Sequence, residues 1–215
     1  MVVAGARGHA LEILDILLAL FPKEEIVFFD PVSTVVEMKA INHYQILKTE
    51  DELRKKFEQN PNFILGMGDS FIRKKTAEDC IRLGGKLQSV VSPEAYISKI
   101  GVSLGDGLNI MHRVVIQPAV CIGEGTLINA GAFVHHEAVI GKYCQVCPGV
   151  FLTGAARVGD YSMIGTGVVV LPKVKIGSNV VVAAGSIVTH DIPDNVMVAG
   201  APAVIKKQRA GFCKR

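Results

Sequence analysis

Histidine and acidic side chains in the second half of the chain are the residues best suited to proton-transfer chemistry. Histidines stand at positions 112, 135, 136 and 190, and His136 is followed directly by Glu137. A neutral imidazole accepts protons near pH 7, and an adjacent carboxylate holds its tautomer and strengthens it as a base. The pair therefore predicts general-base catalysis. A solvated histidine beside a solvated turn carboxylate is the alternative.

The cysteines do not form a metal-binding pattern. There are five of them, and Cys144 and Cys147 are the only close pair, without the second pair or the His-x3-His spacing that would complete a zinc site. We therefore predict no metal. We interpret the cysteines as reduced thiols of the core.

Composition and charge restrict the class of protein. The 215 residues are 49% hydrophobic and 20% charged, which is typical of a folded globular chain and excludes disorder. A net charge of +3, from 23 basic and 20 acidic residues, gives little support to nucleic acid binding. No apolar run reaches the length of a membrane helix, so we expect no membrane span and a cytoplasmic location.

A six-residue repeat runs without interruption through the second half of the chain. Every sixth residue is aliphatic over the set Leu104, Ile110, Ile116, Ile122, Ile128, Val134, Ile140, Val146, Leu152, Val158, Ile164, Val170, Ile176, Val182 and Val188. This period suits neither an α-helix nor a hairpin ladder, but it is typical of a parallel β-helix with three hexapeptides in each triangular coil. The repeat therefore predicts an all-β prism, and a passive scaffold is the alternative to an enzyme.

Glycines indicate the corners of this prism and the way its coils stack. They recur once in every three hexapeptides, which predicts corners with a strained φ, at Gly105, Gly123, Gly141, Gly159 and Gly177. Residues one coil apart should lie above one another, separated by about 4.8 Å. His136 stands two places after the inward Val134, so it should face outward. It should also lie beside Gly154, which has no side chain to obstruct a ligand.

The first ninety residues alternate between strand and helix patterns. Strands are predicted over 2–4, 26–29, 63–67 and 87–91, and helices over 10–21, 50–59 and 70–83. This alternation predicts a small Rossmann-like α/β domain with a parallel sheet. Ser92-Pro93 marks the boundary, which divides the chain into domains 1–92 and 93–215.

Ligands of such sheets bind at the carboxyl ends of the strands, where helix N-termini attract phosphate. The residues predicted at that edge are Gly8, His9, Asp30, Gly68 and Asp69. They favour a nucleotide. However, the full GxGxxG fingerprint is absent, and Gly8 could instead serve tight packing.

Five stretches together resemble one family of enzymes. They are Gly5-Ala6-Arg7-Gly8-His9, Phe28-Phe29-Asp30, Gly66 to Lys75, Val134 to Gly141 around His136, and the closing segment Asp194 to Ala203 after the repeats. The chain is similar to the hexapeptide-repeat sugar acetyltransferases of the UDP-4-amino-sugar N-acetyltransferase and sialic acid O-acetyltransferase type. The resemblance implies a left-handed β-helix, a homotrimer, and a nucleotide sugar bound by the N-terminal domain.

The same resemblance implies roles for individual residues. His136 and Glu137 would be catalytic, acetyl-CoA would contact Gly154 and the sugar would contact Asn129, although Asn129 could instead cap a turn. Further acetyl-CoA contacts are implied for Gln145, Thr166 and Ala184. Gln145 stands where the N-acetyltransferases commonly carry a second histidine. Gln cannot accept a proton, so a two-histidine mechanism would need His135 or His112 instead.

These observations predict an acetyl-CoA-dependent N-acetyltransferase. The amino group of a nucleotide-linked sugar would attack the thioester directly, with His136 as the base and no cysteine as nucleophile. Two alternatives remain open: O-acetylation of sialic acid or a related sugar, and a nucleotide-sugar-binding scaffold without catalysis.

Overall fold

The computed structural model describes residues 1–32, 41 and 43–210. Its N-terminal part contains five strands and three helices: β1 (Val2–Ala4), α1 (Gly8–Leu20), β2 (Val27–Phe29), β3 (Ile46–Leu47), α2 (Glu50–Gln59), β4 (Asn62–Leu65), α3 (Ser70–Arg82) and β5 (Lys86–Leu87). The strands form one parallel sheet in the order β3-β2-β1-β4-β5. The predicted α/β domain is therefore present, with β3 as a strand that the sequence pattern did not indicate.

Local sequence explains where the helices begin. The buried residues Ala10, Ile13, Leu14 and Leu17 recur at helical spacing and press α1 against the sheet. A capping box starts α2, since the Thr49 side chain accepts from the Glu52 N–H while the Glu52 carboxylate accepts from the Thr49 N–H. These elements match the predicted helices to within two residues at each end.

The second part is a left-handed β-helix whose two-residue strands form three faces. Face 1 contains β6 (Val90–Val91), β9 (Asn109–Ile110), β12 (Leu127–Ile128), β15 (Gln145–Val146), β18 (Met163–Ile164) and β21 (Val181–Val182), extended by β23 (Val196–Ala199) and β24 (Val204–Gln208). Face 2 contains β7 (Tyr96–Ile97), β10 (Val115–Ile116), β13 (Phe133–Val134), β16 (Phe151–Leu152), β19 (Val169–Val170) and β22 (Ile187–Val188). Face 3 contains β8 (Ser103–Leu104), β11 (Cys121–Ile122), β14 (Val139–Ile140), β17 (Arg157–Val158) and β20 (Lys175–Ile176).

Stacking in the prism follows the predicted register of three hexapeptides per coil. Val134 pairs with Leu152, and Ile140 pairs with Val158, each as parallel neighbours in successive coils. From β9 to β22, the second residue of each strand points inward and is buried, which makes one continuous aliphatic core. The positions of the inward aliphatic residues therefore determine which residues stack in successive coils. They also determine which of the remaining side chains face outward.

The predicted strand 87–91 is wrong, because the structure divides it in two. Lys86–Leu87 closes the N-terminal sheet beside β4, whereas Val90–Val91 pairs with Asn109–Ile110 as the first strand of the prism. Two short apolar pairs with different partners look like one strand in the sequence. The first prism strand thus precedes the predicted boundary at Ser92-Pro93.

The strained φ predicted for the repeating glycines is also wrong. None of the five has a positive φ, but a Cβ on Gly123 would lie 2.7 Å from the carbonyl carbon of Gly141 in the next coil. These glycines are needed for close approach of the backbone. The left-handed conformation occurs instead three residues after the inward aliphatic residues up to Val182, as at Glu137 (φ 60) and Tyr143 (φ 50).

The two domains share packed side chains. Val3, Ala10 and Leu14 of the N-terminal domain form one buried cluster with Met111 and Leu127 of the prism. A second contact follows the corner between faces 3 and 1, where Phe71 of α3 stacks on Tyr161 with ring centroids 5.7 Å apart, and Tyr161 stacks on Tyr143 at 6.0 Å. The N-terminal domain therefore covers the first coils of face 1 and this corner.

Candidate active site

His136 and Glu137 lie at the corner between faces 2 and 3, on the outside of the prism. The His136 Nδ1 is 3.0 Å from the Glu137 Oε2, and both side chains are well exposed to solvent (60% and 66%). An ionised carboxylate only accepts hydrogen bonds, so Nδ1 carries the ring hydrogen and donates a hydrogen bond to Glu137. The lone pair of the neutral ring is then on Nε2, which makes Nε2 the basic atom.

Gly154 lies next to this imidazole, as the stacking register predicts. A Cβ on Gly154 would be 2.7 Å from the His136 Cε1 and 2.8 Å from Nε2. The Ala155 N–H donates to the His136 carbonyl at 2.9 Å, which ties the two coils together at this point. A side chain at position 154 would therefore displace the imidazole. Glycine lets the imidazole pack directly against the backbone of the next coil.

The other residues that the family resemblance connects with acetyl-CoA and the sugar do not lie beside His136 in the same chain. Gln145 is the outward residue of β15 on face 1. Asn129, Thr166 and Ala184 follow β12, β18 and β21, so they occupy the corner between faces 1 and 2. Face 2 separates that corner from the corner of His136.

Gln145 contacts the N-terminal domain of its own chain. A Cβ on Gly68 would be 2.9 Å from the Gln145 Nε2 and 3.4 Å from its Cδ. Gly68 follows β4 at the carboxyl edge of the sheet, so this edge reaches the prism beside Gln145. Gln145 belongs to the same coil as His136, which runs from Phe133 to the residue before Phe151.

Asn129 and Asp69 both make local hydrogen bonds. The Asn129 Oδ1 accepts from the Ala130 N–H at 2.7 Å, within the turn between faces 1 and 2. The Asp69 Oδ1 accepts from the Phe71 and Ile72 N–H groups at 3.0 Å and is the N-cap of α3. Their predicted contacts with substrate stay predictions beside these structural roles.

The start of α1 has the features of an anion site. The helix begins at Gly8, and its N-cap residue, Arg7, makes no side-chain capping hydrogen bond within the part of the chain that the structure describes. The first turn contains no acidic residue, which favours a phosphate at this helix N-terminus. Gly5, with φ +110, makes the turn into the helix, and its N–H donates to the Phe29 carbonyl at 2.8 Å.

His9 turns towards the prism. Its Nδ1 lies 3.0 Å from the Glu12 Oε2, and its Nε2 lies 3.1 Å from the Nδ2 of Asn109, a fully buried residue of face 1. The hydrogen bond from His9 lowers the pKa of Glu12 below its usual value. Asp30 is buried at the end of β2, where its Oδ1 accepts from the Val32 N–H at 3.1 Å.

The two histidines considered as substitutes for Gln145 lie in different places. His135 stands at the same corner as His136 and packs against Phe133, with ring centroids 4.7 Å apart. The His112 Nε2 is 3.3 Å from the Asp15 Oδ2 on α1, at the junction of the domains. Of the two, only His135 shares the corner with His136.

Two buried residues at the domain junction, Arg73 and Asn109, were not assigned a role from the sequence. Arg73 is fully buried, and its guanidinium contacts both domains. Arginine in a helix that is mostly exposed normally faces water, so no sequence pattern distinguishes a buried one.

Most of the cysteines that the structure describes are buried. Cys80, Cys144 and Cys147 are buried as we predicted, but Cys121 is exposed on face 3, and Cys213 lies outside the described residues. Residues 1–32, 41 and 43–210 contain no group of three His, Cys, Asp or Glu side chains that could hold a metal ion. No helix among them combines the length and apolar character needed to span a bilayer.

Comparison with known proteins agrees with this architecture. The PglD N-terminal domain family matches residues 1–80, and the bacterial transferase hexapeptide family, of six repeats, matches residues 155–190. No curated protein sequence showed significant similarity to the chain. The Moraxella catarrhalis UDP-N-acetylglucosamine O-acyltransferase, at 19% identity over 59% of each chain and a TM-score of 0.54, shares the fold alone.

Solved structures of sugar N-acetyltransferases match almost the whole chain. Perosamine N-acetyltransferase from Caulobacter crescentus, solved with CoA and GDP-perosamine, is 31% identical over 96% of both chains, with a TM-score of 0.86. The acetyltransferase domain of PglB from Neisseria gonorrhoeae, solved with acetyl coenzyme A, is 30% identical over 95% of this chain and 98% of its own, with a TM-score of 0.87. WeeI from Acinetobacter baumannii is 26% identical over 95% and 98%, with a TM-score of 0.79. The chain therefore belongs to the hexapeptide-repeat nucleotide-sugar N-acetyltransferases with a PglD-type N-terminal domain, and it is an acyltransferase.

Proposed function

We propose that this enzyme transfers the acetyl group of acetyl-CoA to the amino group of a nucleotide-linked sugar, a UDP-4-amino-4,6-dideoxy sugar used in a bacterial surface glycan. The observation that carries the proposal is the exposed His136–Glu137 pair beside the bare backbone of Gly154. A base lies there directly against a backbone that bears no side chain. The relatives solved with CoA, acetyl-CoA and GDP-perosamine support both substrate classes.

The chemistry follows from the state of the imidazole. The sugar amine attacks the thioester carbonyl, so that a C–N bond forms and the C–S bond breaks. His136 Nε2 takes a proton from the attacking amine and passes it to the leaving sulfur of CoA. Glu137 stabilises the imidazolium formed between these two transfers. We assign the Gly154 N–H to the carbonyl oxygen, where negative charge develops.

A homotrimer would complete this site. The outward residues of face 2 form an apolar column with partly exposed side chains, namely Tyr96, Val115, Phe133, Phe151, Val169 and Ile187. Phe133 and Phe151 stack along it with centroids 6.0 Å apart. Three copies with face 2 turned towards a threefold axis would bury this column.

Such an arrangement would also bring the two separated corners together. The corner between faces 2 and 3 of one subunit, with His136 and Gly154, would adjoin the corner between faces 1 and 2 of the next. That corner has Thr166 and Ala184 for the pantetheine arm and Asn129 for the sugar. The neighbour's Gln145 would then donate a hydrogen bond to acetyl-CoA without accepting a proton.

The nucleotide fits the carboxyl edge of the N-terminal sheet. The start of α1 at Gly8 would receive the diphosphate, Asp30 the nucleoside, and Gly68 and Asp69 would form the side of the site facing the prism. The contact between Gly68 and Gln145 supports this placement, because it joins the nucleotide edge to the coil that bears His136. Both proposed substrates are cytoplasmic metabolites, so a cytoplasmic location goes with the proposal.

The experiment is a substrate screen with detection of the CoA thiol. UDP-, GDP- and dTDP-linked amino sugars are incubated with acetyl-CoA and enzyme, with sialic acid as a hydroxyl acceptor and His136→Ala as the matched blank. We expect thiol release with a UDP-linked 4-amino sugar. Thiol release with a GDP- or dTDP-linked amino sugar would correct only the nucleobase in the proposal. Release with sialic acid alone would indicate an O-acetyltransferase. No release with any acceptor would favour a binding scaffold.

A further inference from the structure

Arg73 joins the two domains through a set of backbone carbonyls. It lies in the first turn of α3 and is completely buried. On the N-terminal side, Nη1 donates to the Met67 carbonyl at 2.8 Å and to the Leu65 carbonyl at 3.3 Å. On the prism side, Nε donates to the Gly125 carbonyl at 2.9 Å, and Nη2 lies 3.5 Å from the Gly107 carbonyl. One guanidinium therefore spans the junction.

The charge of Arg73 is costly at this position. Among the described residues no carboxylate forms an ion pair with it, and burial lowers the pKa of its guanidinium to about 9. Because neutral pH lies below that value, the group keeps its charge when the enzyme works. A side chain needed only to fill the space would be less costly if it were apolar. The role of Arg73 should therefore depend on its directed hydrogen bonds.

These hydrogen bonds hold the segment that forms the inner side of the nucleotide edge. Met67 directly precedes Gly68, which packs against Gln145 on the coil of His136. Gly107 and Gly125 lie one coil apart at the corner between faces 3 and 1. Arg73 thus fastens the end of β4 to the prism at the level of Gly125. Gly125 lies in the coil before the one that contains His136.

The Leu65 carbonyl strengthens this junction because it accepts from two directions. The buried Asn109 of face 1 donates to it from Nδ2 at 2.7 Å, and the same Nδ2 lies 3.1 Å from the His9 Nε2. The two sides of the nucleotide edge, the turn before α1 and the segment after β4, are therefore both fastened to the prism.

We propose that Arg73 is a positioning residue that holds the nucleotide edge at the height from which a bound nucleotide sugar reaches the acetyl-transfer corner. This inference rests on the proposed function. Arg73 contacts no reacting atom, so its effect passes through the Leu65–Met67 backbone. Its loss should leave each substrate able to bind but should spoil their alignment, and misplacement by about 1 Å costs roughly 100-fold in rate.

The test compares binding with turnover in the full-length enzyme. Arg73→Met keeps a long side chain and removes all the hydrogen bonds. We expect kcat with the active nucleotide-linked amino sugar to fall about 10- to 100-fold. Calorimetric Kd values for acetyl-CoA and for the nucleoside diphosphate of that sugar should stay within about threefold of wild type. Arg73→Lys, which keeps the charge but has one donor group instead of a fork, should be intermediate.

The matched control is Arg82→Met, the same change on the exposed end of the same helix, where Arg82 pairs with Glu50 at 3.0 Å. It should leave kcat and both Kd values unchanged. An unchanged kcat in Arg73→Met, or an intact kcat with weakened nucleotide binding, would overturn the inference. The inference would also be overturned if the affinity for acetyl-CoA fell by the same factor as kcat in Arg73→Met. If Arg73→Met does not fold, the same measurements on Arg73→Lys decide. Wild-type enzyme without any acetyl transfer would refute the proposed function itself.

Discussion

The imidazole of His136 and the backbone of Gly154 occupy equivalent positions in two successive coils. They are so close that a methyl group on Gly154 would lie 2.8 Å from the His136 Nε2. The pair arises from chain register alone, since residues one coil apart lie beside each other throughout the prism. A base and the bare backbone next to it are thus supplied by two residues that need no loop to bring them together.

Substitution of Gly154 tests this relationship. Gly154→Ala should push the imidazole aside and narrow the approach to the thioester, which raises the KM for acetyl-CoA about 10-fold or more while the prism stays folded. Steady-state kinetics with each substrate varied would measure it. Ala119→Ser is the control at the same corner, because Ala119 is exposed and already has a side chain in its left-handed conformation. An unchanged KM for acetyl-CoA with a raised KM for the sugar would mean that the cofactor lies elsewhere.

Removal of the imidazole tests the base. His136→Ala should lower kcat by about 10² to 10⁴, the usual contribution of a general base, without loss of assembly, because His136 is not part of the apolar column of face 2. His135→Ala is the matched control at the same corner and should keep most of the activity. If the two variants showed the opposite pattern, His135 would be the base.

The carboxylate partner should affect rate more than binding. Glu137→Gln keeps the size of the side chain but removes the negative charge that faces the His136 Nδ1, so the imidazolium in the transition state loses its stabilisation. We expect kcat to fall about 10-fold with both KM values nearly unchanged. Full activity in this variant would show that Glu137 is only a solvated corner residue.

Assembly can be tested on face 2. Light scattering of the wild-type enzyme should give about three times the chain mass of 23.0 kDa. Phe151→Glu places a charge in the apolar column and should give an inactive monomer, whereas Val139→Glu makes a similar change at the equivalent outward position of face 3 and should remain an active trimer. An active Phe151→Glu monomer would contradict a site shared between subunits.

Thiol chemistry separates direct transfer from an acyl-enzyme. Burial raises the pKa of Cys80 and of Cys144 to about 12, so both stay protonated and unreactive at every pH below that value. Native enzyme treated with iodoacetamide in mildly alkaline buffer should be modified at the exposed Cys121, with Cys80 and Cys144 protected and activity retained. Peptide mass spectrometry and an activity assay would check both. Loss of activity that follows modification of Cys144 would support a thiol nucleophile.

The sequence predicts the prism in detail because its aliphatic residues repeat at a fixed interval, and each repeat has the same kind of partner in the next coil. The N-terminal helices are predictable for a similar reason, since Leu14 and Leu17 recur at helical spacing and are both buried in α1. Prediction fails where partners change: the pairs at Leu87 and Val90 join different sheets, and pairing between distant segments cannot be deduced from a local pattern.

In the candidate site, too, the contacts set by the repeat are predictable and those between distant segments are not. His136 and Gly154 lie together because their relationship is one of register. The contact of Gln145 with Gly68 depends on how one domain packs on the other, and no local pattern encodes that packing. The burial of Arg73 has the same origin, because the carbonyls that satisfy it come from residues as distant as Gly125.

The uniform coil height also has an evolutionary consequence. Each coil pairs only with the coils before and after it, so the prism behaves as a one-dimensional stack. A duplication of one whole coil after Ala184 would lengthen the stack and leave the site intact. The same duplication between Gly125 and Val134 would lift the base about 4.8 Å away from the nucleotide edge. We therefore expect whole-coil insertions to accumulate on the C-terminal side of the site. The number of coils between the nucleotide edge and His136 then determines the length of the acceptor that can reach the base.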